Sequence, residues 1–182
     1  MKTLKQFITE IQTYQSDKTS LNQISAGLKK AAQSFIKPDS INVDVGGGKY
    51  DLGVNYIEQN VPGAKLHVYD PFNRTTEHND NVVYQARNKA HYVGLHNVLN
   101  VINDEDARRE ALETVKSFMH PTNGIAHITI YPGNNSGVGK VTKNGSSWQE
   151  NRPAKSYMDE ISRVFNNHNI SFKSGHIVIT HK

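Results

Sequence analysis

Cysteine is absent from the 182 residues, which excludes disulfides, zinc–thiolate centres and a cysteine nucleophile and is compatible with a reducing cytosol. Long apolar runs are missing as well. None approaches the roughly 20 residues that span a bilayer, and the start, Met1-Lys-Thr-Leu-Lys-Gln-Phe-Ile-Thr-Glu10, is interrupted by polar residues too often for a signal peptide. A cytoplasmic protein without a membrane partner is therefore expected. A strong excess of one charge is also lacking. The net charge of +4 permits weak attraction to nucleic acid without requiring it. The basic residues are scattered, and Arg108-Arg109, set among Asp104, Glu105, Asp106 and Glu110, reads as a solvated helix face. Hydrophobic content of 36% and a length of 182 residues fit one globular domain over 1–182.

What is present is concentrated in two stretches. Ile41-Asn-Val-Asp-Val-Gly-Gly-Gly-Lys-Tyr-Asp51 reads as a buried strand, a glycine turn and a helix start, and Leu66-His-Val-Tyr-Asp70 as a second strand ending in an acid. Asp70 lies 22 residues beyond Gly48, the spacing of a nucleoside-binding β-α-β unit. In such a unit glycines let the backbone approach a ligand, and the acid on the next strand accepts both ribose hydroxyls. Related loops fit less well. A dinucleotide fingerprint needs glycine where Asp51 stands. A phosphate-binding loop needs glycine where Val43 stands and serine or threonine where Tyr50 stands. Gly139-Lys140 fails the same test, with Asn134 and Val141 in the required slots.

Along the chain, residues 1–38 read as two helices. Leu4, Phe7, Ile8 and Ile11 fall at helical spacing, as do Leu21, Ile24, Leu28, Ala31, Ala32 and Phe35, with Thr19 or Ser20 as the second cap. A helix follows the glycine turn and stops before Pro62-Gly63. Asn81-Val-Val-Tyr84 is a weak strand candidate and His91–His96 a better one. A helix is expected from about Glu105 to Met119, a strand over Ile125–Tyr131, a helix from Pro153 to Phe165, and two closing strands around Ser174-Gly175. Residues 132–152 form a polar, glycine-rich insertion holding the single tryptophan, Trp148. Alternating strands and helices predict an α/β, doubly wound, mostly parallel sheet with N-terminal helices. Its ligand edge collects Asp44 to Gly48, Asp70, His96-Asn97 and Tyr131-Pro132.

Val43-Asp-Val-Gly-Gly-Gly48 resembles the first motif of class I S-adenosylmethionine-dependent methyltransferases, in which an acid precedes the glycines. Val68-Tyr-Asp70, Leu95-His-Asn-Val-Leu-Asn-Val-Ile102 and the His120-Pro-Thr-Asn-Gly124 turn into a strand follow in the family's order. The set is similar to small methyltransferase-like proteins of phages and bacteria. The resemblance implies a Rossmann-like methyltransferase fold with S-adenosylmethionine as cofactor, in the host cytoplasm if phage-encoded. It implies that Asp44, Gly46, Gly47 and Gly48 line the methionine end. Asp70 would take the ribose from an open cleft, with Tyr69 or Pro71-Phe72 beside the adenine, and Asn97 and Asn100 would contact donor or acceptor. The Pro-Pro-aromatic loop of enzymes that methylate exocyclic amines of DNA bases is replaced here by Asn97-Val98-Leu99. His96 is the candidate general base, with Asn97 beside it, because imidazole titrates near neutrality. Tyr131, Trp148 and Arg152 are the candidates for a small-molecule or nucleobase acceptor, since they combine a stacking surface with a cation. No metal site is expected, because the nine histidines are dispersed. A binding protein that keeps the nucleoside pocket without transferring a methyl group is the alternative.

Overall fold

The computed structural model describes residues 21–182 apart from 144 and 146. The first expected helix, with Thr19 and Ser20, lies outside the described residues. Among the described residues there are eight strands: β1 (Ile41–Val45), β2 (Lys65–Tyr69), β3 (Tyr92–His96), β4 (Ile125–Thr129), β5 (Lys140–Val141), β6 (Trp148–Gln149), β7 (His168–Lys173) and β8 (His176–His181). The helices are α1 (Ala26–Ser34), α2 (Leu52–Asn60), α3 (Thr76–Ala86), α4 (Glu105–Phe118) and α5 (Met158–Val164). Six strands form one sheet in the order β2-β1-β3-β4-β8-β7, and β5 and β6 pair separately. β2, β1, β3 and β4 run parallel, while β8 is antiparallel to β4 and to β7. The β7–β8 turn places Ser174 at φ 51° and Gly175 at φ 80°, the positive pair that a two-residue hairpin turn needs to match strand twist.

Helices cover both faces. Leu28 and Ala31 of α1 and Ile57 of α2 close one core against Leu66 and Tyr92. Val82, Ala86, Ala107, Leu112, Val115, Phe118 and Ile161 close the other against Val43, Val93, Leu95 and Ile128. β3 is buried at all five positions, as a central parallel strand covered on both faces must be. The chain moves from β1 outward to β2 and then crosses to β3 on the other side. The sheet therefore has its switch point between β1 and β3, where a ligand crevice opens at the carboxyl ends.

Three expectations change. The second N-terminal helix begins at Ala26, later than the apolar pattern from Leu21, because Ser25 is its cap, accepting from the Leu28 N–H at 3.1 Å. Asn81–Tyr84 is helical, inside α3. Its buried residues Asn79, Val82 and Ala86 repeat with a helical period, and Thr75 caps it. Arg108 does not share the solvated face of Arg109. It is 5% exposed, and its guanidinium donates to Glu160 at 2.7 Å and to the Ile102 carbonyl at 2.8 Å. Burial alone would raise the Glu160 carboxyl, but bonds from Arg108 and Arg152 hold it below its usual range. Glu160→Ala, which strands the buried Arg108 cation, is expected to cost about 3–5 kcal/mol in urea unfolding. Arg109→Ala, in an exposed pair with Asp106, should stay within about 0.5 kcal/mol.

Candidate functional site

The crevice at the switch point is built on a glycine turn tied to one carboxylate. Asp70 accepts four hydrogen bonds: Gly48 N–H at 2.9 Å, Phe72 N–H at 2.9 Å, Asn73 N–H at 2.9 Å and the Asn73 amide at 3.1 Å. Asn79 braces the same corner, its amide oxygen accepting from the Asp70 N–H and its nitrogen donating to the Asp70 carbonyl. Arg74 closes the other side by donating to the Gly48 carbonyl at 2.9 Å and to Asp51 at 2.7 Å. The expectation of a carboxylate standing free in an open cleft is therefore corrected. Asp70 is 4% exposed, because four donors fill the acceptor positions of a carboxylate. Gly46 and Gly48 have φ of 74° and 82°, and a Cβ on Gly46 would meet Val98 at 2.5 Å. The turn has no room for a side chain.

Asp44 is the second carboxylate at this corner. It is 8% exposed, and among the described residues its Oδ1 has no hydrogen-bond partner. Burial, with the charge of Asp70 beside it, pushes its carboxyl up to about 7. Gly94 on β3 makes space for it. A Cβ there would lie 2.8 Å from His96 Nε2 and 3.1 Å from both Asp44 Oδ1 and the Tyr92 hydroxyl. A glycine inside a buried strand is the signal that marks this spot in the sequence, and Tyr92 and Gly94 were not foreseen there.

His96 lines the crevice, but both of its nitrogens are engaged. Nε2 pairs with the Tyr92 hydroxyl at 2.9 Å and Nδ1 with the Thr129 hydroxyl at 3.0 Å. The chain continues from Tyr92 to His127 at 3.3 Å and from His127 to His176 at 2.8 Å. α1 lies directly on the ring, since a Cβ on Gly27 would collide with it. Desolvation, together with His127 and His176, lowers His96 to about 3, and burial with the charges of His176 and Lys30 lowers His127 to about 4. A neutral imidazole with both nitrogens bonded is a poor general base at neutral pH.

The crevice wall brings together Asp44, Gly46, Gly47, Gly48, Asp70, Pro71, Phe72, Asn73, His96, Asn97 and Val98, with Leu21, Ile24, Ser25 and Leu28 opposite. Tyr69 is elsewhere, its ring 5.4 Å from that of Phe118 in the core. Asn97 is exposed at φ 58° on the lip. Asn100 points away and donates to Gln149 at 3.1 Å. Tyr131, Trp148 and Arg152 are not among the lining residues. Tyr131 is 58% exposed. Trp148 donates to Glu150 at 2.6 Å on the β5–β6 hairpin, and Arg152 bonds Glu160 and stacks 3.7 Å from the Tyr157 ring centre. Asn151 uses its amide inside the loop, accepting from the Asn134 N–H and donating to the Val138 carbonyl.

No family model matches the chain, and no curated protein matches it. Solved structures do resemble it. A Rhodobacter sphaeroides protein described as a Zn-dependent alcohol dehydrogenase superposes with a TM-score of 0.57 at 8% identity, over 100% of this chain and 99% of its own. The release-factor-specific protein-(glutamine-N5) methyltransferase of Alicyclobacillus acidocaldarius gives 0.51 at 13% identity, covering 92% and 93%. DhpI, solved in complex with SAH, gives 0.50 at 13% identity, covering 85% and 80%. At these identities the likeness establishes the fold alone, which is the α/β Rossmann-like fold of class I methyltransferases. The part of the resemblance that pointed to phages gains no support from these structures. No helix among the described residues is long and apolar enough to cross a membrane.

The buried groups set a pH profile for stability. Between about pH 4 and 6.5, the unfolded chain protonates His96 and His127 while the folded chain does not, and the folded chain alone keeps the Asp44 proton. Two sites outweigh one, so stability rises with pH across this window. Near pH 6.5 the two histidines of the unfolded chain are still half protonated, so their release offsets the ionisation of Asp44 in the folded chain and stability levels off around pH 7. The melting temperature should therefore rise from about pH 4 and level off near pH 7, and Asp44→Asn should steepen that rise.

Proposed function

We propose that this protein is an S-adenosylmethionine-dependent methyltransferase. The observation that carries the reading is the crevice at the β1/β3 switch point, with a side-chain-free glycine turn and a buried, unpartnered Asp44 oxygen at its floor. An orphaned acceptor of this kind fits a ligand that brings its own donor, and DhpI, which shares the fold, was solved in complex with SAH. On this reading Asp44, Gly46, Gly47 and Gly48 hold the amino-acid end of the donor. Asp70 takes the ribose, the Asn73 amide being the side-chain donor that can swing aside to free an acceptor position. Pro71 and Phe72 flank the adenine. Asn97, on the lip, faces the reacting end. Residues 1–182 act as one domain.

The bound donor supplies a sulfonium-activated methyl group, for which alignment matters more than base strength. With His96 bonded at both nitrogens and covered by α1, its role here is to floor the crevice. Transfer is then suited to acceptors that are nucleophilic without losing a proton first. Tyr131, on the exposed side of the insertion, remains the candidate acceptor contact, whereas Trp148 and Arg152 act through the hairpin's shape. The engagement of His96 favours a second reading, a nucleoside-binding protein without transfer.

S-adenosylhomocysteine at one hundred times its dissociation constant should add about 2.7 kcal/mol of stability, a rise of roughly 5–11 °C for a domain of this size. NAD and ATP should add none, and a shift with NAD alone would remove the methyltransferase reading. Radiolabelled donor incubated with fractionated extract separates the two readings. Label in one fraction supports the enzyme, and binding without label in any fraction supports the binder.

A further inference from the structure

The two carboxylates at the crevice floor have opposite surroundings. Asp70 accepts four N–H donors, from Gly48, Phe72 and Asn73, so every acceptor position is used. Asp44 is buried beside it with Oδ1 unpartnered. A buried carboxyl group without donors, placed beside a second carboxyl group, favours its neutral form.

The groups facing Asp44 do not reverse this. β3 contributes Tyr92, which burial and Asp44 itself keep protonated, and His96, which is neutral. α1 and its approach contribute Ser25 and Leu28, and the lip contributes Asn97 and Val98. β2 contributes Asp70 itself. Arg74 is directed to the Gly48 carbonyl and Asp51.

We propose that Asp44 is a neutral acid in the free protein and selects ligands that carry an ammonium group, releasing its proton as that group binds. The inference rests on the donor placement above. The Asp44 O–H bond breaks, its proton passes to the buffer, and an ammonium N–H of the ligand bonds the resulting carboxylate. Nothing is oxidised or reduced. The carboxyl's position near 7 sets the range in which the release is seen.

Titration calorimetry of wild-type protein with S-adenosylhomocysteine, in buffers of different ionisation enthalpy, counts the protons. The expected release is close to one near pH 6, about half near pH 7 and little near pH 8.5, with affinity rising as pH increases over that range. 5′-Methylthioadenosine, the same nucleoside without an amino-acid end, should bind with no release at any of these values. Asp44→Asn should keep methylthioadenosine affinity, which also reports that the variant is folded, while losing at least roughly tenfold for S-adenosylhomocysteine. Binding of S-adenosylhomocysteine without release near pH 6, or with release unchanged in Asp44→Asn, overturns the inference and leaves the donor reading standing. Failure of both nucleosides to bind overturns the donor reading, and the inference with it.

Discussion

The crevice depends on the bonds that Asp70 makes across the β1 and β2 ends. Four N–H groups converge on one carboxylate, joining the glycine turn after β1 to the loop after β2. Hydrogen bonds to a charged acceptor are stronger than neutral ones, and here they fix a turn whose glycines contribute no side-chain packing of their own. Asn79 from α3 and Arg74 from the loop hold the same corner from outside. The turn is thus set before any ligand arrives, which reduces the ordering cost of binding.

That saturation has an electrostatic consequence for the neighbouring strand. With the donors all engaged by Asp70, the buried Asp44 cannot share them, and its ionised form is disfavoured by both desolvation and the neighbouring Asp70. The polar chain from Thr129 through His96, Tyr92 and His127 to His176 satisfies buried nitrogens and hydroxyls in pairs and leaves Asp44 Oδ1 out. Gly27 and Gly94 make the chain possible, one letting α1 lie on the His96 ring and the other clearing the space between His96, Tyr92 and Asp44. Buried polar groups are tolerable in a core only when paired in this way.

Polar residues of the insertion serve the fold in the same manner. Trp148, Asn151 and Arg152 carry the groups expected of a recognition loop, yet their donors reach Glu150, the Val138 carbonyl and Glu160. The Arg108–Glu160–Arg152 cluster joins α4 to the segment after β6 and to α5. The hairpin is held to the turn at Asn100, where Asn100 holds Gln149 and its carbonyl accepts from Glu150.

Local signals determined a good deal. The period-2 apolar runs placed β1, β2, β3 and β4, the glycine run and the acid 22 residues later placed the ligand corner, and Ser174-Gly175 placed the closing hairpin. These are legible because backbone preference and strand burial act over a few residues. Two short apolar residues, Val82 and Val83, were ambiguous between strand and helix, and only packing of Asn79, Val82 and Ala86 against the sheet decided for α3. The side chains' tasks were decided at longer range. Whether Asp70 stands free or is saturated, whether His96 is a base or a bonded neutral ring, and whether Arg108 is solvated or paired depend on which donors the fold brings from other elements. Desolvation and hydrogen bonding are set by neighbours in space, so the sequence by itself named candidate residues, and the tertiary structure decided which of them line the crevice and how each is bonded.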